Sequence, residues 1–65
     1  MKVKELALYV PFGLRITWRY IDSDVNTDTL FKNLFDGNWD TIVKRIDVKK
    51  DRMYLVLERP AWVNT

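Results

Sequence analysis

The sequence predicts an α+β fold, with two short helices packed on one side of a three-stranded, mainly antiparallel sheet in the order α-β-α-β-β. Three observations carry this. Val3, Leu6, Ala7 and Val10 recur at helical spacing; Leu14, Ile16, Trp18 and Tyr20 alternate with Arg15, Thr17 and Arg19; and Thr41 to Arg59 reads as a β-hairpin whose pairing can be worked out from its own residues. At 65 residues the chain is a single small α+β domain over 1–65. A domain of about 60 residues buries only roughly 60% of its unfolded surface, so its nine aromatic side chains are needed to fill a core.

The first element is an amphipathic helix over residues 3–9, stopped by Pro11, which drives Val10 out of the helical region. Phe12-Gly13 makes the corner, with Gly13 free to take positive φ. From Leu14 the period drops to two, and the strand to Tyr20 separates apolar from polar residues cleanly. Asp22, Asp24, Asn26 and Asp28 then place oxygen donors at alternate positions, as in the first half of a calcium loop. Thr27 stands where that loop needs glycine and Asn33 where it needs a bidentate glutamate, so the run reads as a polar loop in which Asn26 or Thr27 caps a second helix. That helix, residues 28–35, pairs Leu30 with Leu34 and Phe31 with Phe35 at i, i+4 and ends in a left-handed cap at Asp36-Gly37.

A turn at Lys50-Asp51 sets the hairpin register: Val48 faces Met53, Ile46 faces Leu55, Lys44 faces Leu57 and Ile42 faces Arg59. The other side then carries Val43, Tyr54 and Val56 among Arg45, Asp47 and Glu58. An isolated hairpin is marginal in water, so its apolar side needs the first strand and the helices. The most buried set is expected to be Leu6, Leu14, Ile16, Trp18, Leu30, Leu34, Ile46, Leu55 and Leu57. Pro60 ends ladder pairing, and Trp62 folds back as a lid on the core.

One stretch resembles a known group. In LALYVPFGLRI, residues Leu6, Ala7, Tyr9, Pro11, Gly13 and Leu14 match the opening of small uncharacterised proteins carried by phages and prophages of gut anaerobes, which run Leu-Ala-Pro-Tyr-Leu-Pro-Tyr-Gly-Leu-Lys. Phe12 and Arg15 are conservative substitutes, and Leu8 departs where that pattern has proline. The likeness covers about ten residues and implies a phage or prophage origin. It implies no activity, because that group has none to carry over.

Composition narrows the chemistry. Cysteine and histidine are both absent, which removes disulfides, thiolate zinc sites, the commonest metal ligand and the usual general base. Six of the seven aspartates, at 22, 24, 28, 36, 40 and 47, could supply an acid and base pair, but no spacing selects two of them and so short a chain has little room for an enclosing pocket. No catalytic residue, metal, cofactor or small-molecule substrate is therefore expected. Eleven basic against nine acidic residues give a net charge of +2 and no basic tail. Glu5 and Pro11 interrupt the apolar run after Lys2 and Lys4 before a signal-peptide core could form, and no run is long enough for a bilayer, so a cytoplasmic protein that does not enter a membrane is expected.

Two binding functions remain. A protein-interaction module would use Val43, Arg45, Tyr54 and Val56, a modest apolar patch between charges, to hold a protein partner or a second copy of itself. A nucleic-acid-binding protein would use Arg15, Arg19, Arg45 and Tyr54 on one sheet face, where bases stack on aromatic residues and phosphates meet cations. Asp47 and Glu58 on that face would repel phosphate, which favours the protein contact.

Overall fold

A computed structural model describes residues 1–61, in the order α1 (Val3–Leu6), β1 (Arg15–Tyr20), β2 (Thr27–Leu30), α2 (Phe31–Asn38), β3 (Val43–Lys49) and β4 (Arg52–Leu57). The fold is α+β with two helices, as the periodicities predict, but the sheet has four strands, ordered β2-β1-β4-β3. It is mixed: β1 pairs antiparallel with β2 and parallel with β4, and β3–β4 is the antiparallel hairpin. The expectation for Trp62 lies outside the described residues.

The additional strand is β2, formed where the sequence predicts a polar loop and the first turn of a helix. Thr27 and Thr29 are β-branched and suit a pleated surface, and Asp28 pairs across the ladder with Thr17, whose hydroxyl it accepts. Helix α2 therefore begins at Phe31 and not at 28. Neither Asn26 nor Thr27 caps it. Its first free N–H groups go to the corner before β1: Phe31 N–H donates to the Leu14 carbonyl at 2.8 Å and Lys32 N–H to the Phe12 carbonyl at 2.9 Å. At its other end α2 runs through Gly37 to Asn38, and neither glycine has positive φ. The left-handed cap at Asp36-Gly37 and the positive-φ corner at Gly13 are thus both corrected. The corner closes instead through Leu14 N–H on the Pro11 carbonyl, 3.1 Å, and Phe12 anchors it by packing on Phe31 and Phe35 at 5.9 and 5.1 Å between ring centres.

Helix α1 is shorter than residues 3–9 because its bonds tighten after Leu6, where Leu8 and Tyr9 donate to carbonyls three residues back. Its start is also held by another segment, with Val3 N–H on the Thr41 carbonyl at 2.9 Å and Lys4 N–H on the Trp39 carbonyl at 2.8 Å. Glu5 completes the end by accepting the Lys2 N–H at 2.8 Å. The predicted stripe is inward, since Val3, Leu6 and Val10 are buried and Ala7 packs beside them.

The core joins that stripe to Phe31 and Leu34 of α2 and to Ile16, Val43, Leu55 and Leu57 of one sheet face. Leu14 and Trp18 pack at its margin. Two expected members are not in it: Leu30 is 37% exposed because it pairs with Arg15 on the opposite face, and Ile46 is 38% exposed. The position of Ile46 follows from the hairpin.

From the turn the predicted pairs Val48–Met53 and Ile46–Leu55 are both present, but between Arg45 and Val43 the register shifts by one residue. Lys44 is the extra residue of a β-bulge, so Val43 and not Lys44 faces Leu57. The bulge turns Val43 into the core and lets Lys44 reach solvent, avoiding a buried ammonium beside Leu57. Ile46 and Val48, further out along β3, reach past the buried cluster.

Candidate functional site

With both helices on the Ile16, Leu55 and Leu57 side, the opposite face of the sheet is uncovered. Cross-strand pairing fixes its occupants: Asp28 and Leu30 from β2, Arg15, Thr17 and Arg19 from β1, Arg52, Tyr54 and Val56 from β4, and Arg45, Asp47 and Lys49 from β3. Five of the six residues expected in one or other binding site therefore meet on this surface: Arg15, Arg19, Arg45, Tyr54 and Val56. Val43, expected here as well, is on the other side in the core, moved there by the bulge. The apolar part of the patch is correspondingly smaller.

The face is held by polar contacts across strands. Thr17, only 6% exposed, donates its hydroxyl to Asp28 and accepts from Arg52 Nη1 at 3.1 Å, while Arg52 also lies 3.0 Å from the Asp28 carboxylate. The Thr17 hydrogen bond, followed by the Arg52 charge, holds the Asp28 carboxyl below the usual aspartate range. Arg19 is turned to a structural task, with Nη1 on the carbonyls of Tyr20, Ile21 and Ser23 at 3.2, 3.4 and 3.1 Å, bracing the turn after β1. Arg45 lies 3.6 Å from Asp47, and the Lys49 ammonium sits 5.6 Å from the centre of the Tyr54 ring.

Between these side chains is an open recess of about 210 Å³, lined by Thr17, Arg19, Asn26, Arg45, Tyr54 and Val56 with their neighbours. Its surround is basic by five residues to two, counting Arg15, Arg19, Arg45, Lys49 and Arg52 against Asp28 and Asp47. Lys49 and Arg52 are additions to the residues that the sequence pattern selects. The signal was available, because the Lys50-Asp51 turn makes them a cross-strand pair on the Tyr54 side.

The alternate oxygen donors of the 22–28 run do not converge. Asp22 turns to Arg59, which holds both its oxygens at 2.9 and 3.0 Å, and Asp28 turns to Thr17 and Arg52. Three further aspartates also meet cations, Asp40 meeting Lys2 and Lys4 at 3.0 and 3.3 Å, Asp36 meeting Lys32 at 3.1 Å and Asp47 meeting Arg45 at 3.6 Å. Among the described residues no helix is long and apolar enough to cross a membrane. No family model matches the sequence, and comparison with curated proteins and with solved structures likewise finds no match.

Proposed function

We propose that the chain is a non-enzymatic binding module that works by protein contact at the uncovered sheet face, with Arg45, Tyr54 and Val56 at its centre. The carrying observation is the composition of that face: a small apolar centre inside a ring of both charge signs, with two of its cations already opposite carboxylates. Such a ring complements a partner surface that is itself mixed, whereas the uniform charge of a phosphate backbone would meet Asp28 and Asp47 unfavourably. The carboxylates support the non-enzymatic reading. Asp22, Asp28 and Asp40 are all held below their ordinary range by hydrogen-bonded cations or hydroxyls, the opposite of what a general acid at neutral pH requires. The likeness of residues 6–15 supports a phage or prophage origin, and the absence of cysteine is compatible with a cytoplasmic setting.

A nucleic-acid reading has one observation in its favour, the excess of five basic residues over two around Tyr54. The experiment separates the two. A photo-crosslinking side chain placed at Val56 in the producing cells should capture one discrete protein, with the capture lost on Tyr54→Ala and retained after nuclease treatment. Titration of the isotope-labelled protein with single- and double-stranded oligonucleotides at low and high salt should leave Arg15, Arg19, Arg45 and Tyr54 unshifted. Salt-sensitive binding with shifts at those four residues would replace the protein reading with the nucleic-acid one.

A further inference from the structure

Strand β3 ends the sheet, and its outer edge is only partly occupied. The N-terminal segment covers its beginning, where Val43 N–H donates to the Met1 carbonyl at 2.7 Å and Lys2 bridges Ile42. From Lys44 to Lys49 no described residue pairs on the outer side. An uncovered edge is a row of unpaired backbone donors and acceptors, ready to template another strand. Here it also carries apolar residues that the fold leaves in water, Val48 at 74% exposed and Ile46 at its midpoint.

We propose that a second copy of this chain docks on this edge, β3 against β3, antiparallel about Ile46. The charge pattern selects both the occupant and the register. Arg45 and Asp47 flank Ile46 on the uncovered face, so a two-fold axis through Ile46 sets Arg45 opposite the second copy's Asp47, twice. Ile46 then meets its own counterpart, and Lys44 lies opposite Val48, where its methylene stem covers the valine while the ammonium stays in water. Moving the axis to Asp47 would oppose the two aspartates to each other and Arg45 to Lys49. Moving it to Val48 would leave only 47–49 in register within the strand and run the ladder into the Lys50-Asp51 turn.

The axis through Ile46 stands perpendicular to the sheet, so the uncovered faces of both copies lie on one side and join into a single eight-stranded surface. The dimer would present the proposed binding face twice. The two-fold contact uses the β3 edge of both copies and leaves neither free, so the association is concentration-dependent and closed at two copies.

Analytical ultracentrifugation tests this, because the 7.8 kDa chain should double its mass with rising concentration. Arg45→Asp and Asp47→Arg should each leave the chain folded by circular dichroism and hold it monomeric, since each sets like charges opposite one another. Mixed in equal amounts the two variants should recover the doubled mass, because one now supplies two acids and the other two bases in that register. An axis through Val48 would not be rescued by mixing, since Asp47→Arg would still oppose Lys49. A wild-type chain monomeric at millimolar concentration, a dimer indifferent to both variants, or a mixture that stays monomeric would each overturn the proposal. The test is separable from the use of the face, because Tyr54→Ala should abolish partner capture while leaving the doubled mass intact.

Discussion

On one side of the sheet Ile16, Leu55 and Leu57 are sealed beneath α1 and α2, while on the other Thr17 and Tyr54, their immediate neighbours in the chain, stay in place through cross-strand polar contacts. Covering one face lets the sheet gain from apolar burial, a non-directional term roughly proportional to area. Leaving the other bare means that directional bonds such as Thr17 to Asp28 and Arg52 must order it, each with a small net contribution in water. A short chain can stabilise itself through the first face and leave the second outside the core. Replacing residues on each side in turn should expose that division.

The largest effect is expected on the covered side. Leu55→Ala removes a fully buried side chain from between Ile46, Trp18 and the helices and should cost about 2–5 kcal/mol, a large part of what a domain of this size has to spare. Chemical denaturation should show a lower midpoint at unchanged slope. A variant as stable as the wild type would mean that Leu55 is not at the centre of the core.

Thr17→Val comes next and addresses the uncovered side alone. It keeps shape and β-branching, removes the hydroxyl between Asp28 and Arg52, and should cost about 0.5–1.5 kcal/mol. Because Asp28 and Arg52 still face each other at 3.0 Å, the loss should fall well below that of Leu55→Ala. A cost as large as that of Leu55→Ala would show that polar contacts, and not the core, dominate the stability of the sheet.

How much of this was legible follows the same division. The alternation of Leu14 to Tyr20, the stripe of α1 and the hairpin register near its turn were all readable, because each depends on local period and on apolar residues seeking one side. What was hidden depends on distant backbone. The starts of α1 and α2 are held by the carbonyls of Trp39, Thr41, Leu14 and Phe12; Glu5 is the one side-chain signal at α1, and no side chain caps α2. Strand β2 was hidden because Thr27 to Leu30 is too short and polar to show alternation and is held by a partner, Thr17, eleven residues earlier. The bulge at Lys44 was hidden because an unbroken ladder also gave an orderly pattern, at the cost of placing a lysine opposite Leu57. That cost was visible in the sequence, and weighing it would have moved Val43 from the candidate surface into the core.

The smallest effect, and the one that resolves the two faces most finely, is the response to acid. Asp28, Asp22 and Asp40 each titrate below their ordinary value in the folded chain, because of the Thr17 hydroxyl and Arg52, of Arg59, and of Lys2 with Lys4 respectively. The unfolded chain therefore binds protons first as pH falls, so the stability from these carboxylates is present above the ordinary aspartate value of about 3.9 and is lost on acidification through the folded values. All three are exposed, so the loss should be gradual and should shrink in high salt. Carboxyl chemical shifts followed from neutral pH downward should show Asp28 protonating late, and in Thr17→Val it should protonate earlier while Asp22 and Asp40 keep their midpoints. The apolar side should be silent over the same range, with the Ile16, Leu55 and Leu57 methyl signals unmoved until global unfolding. If those methyls shifted together with the Asp28 carboxyl, the two faces would be one cooperative unit, and the uncovered face could not be altered for binding without disturbing the core.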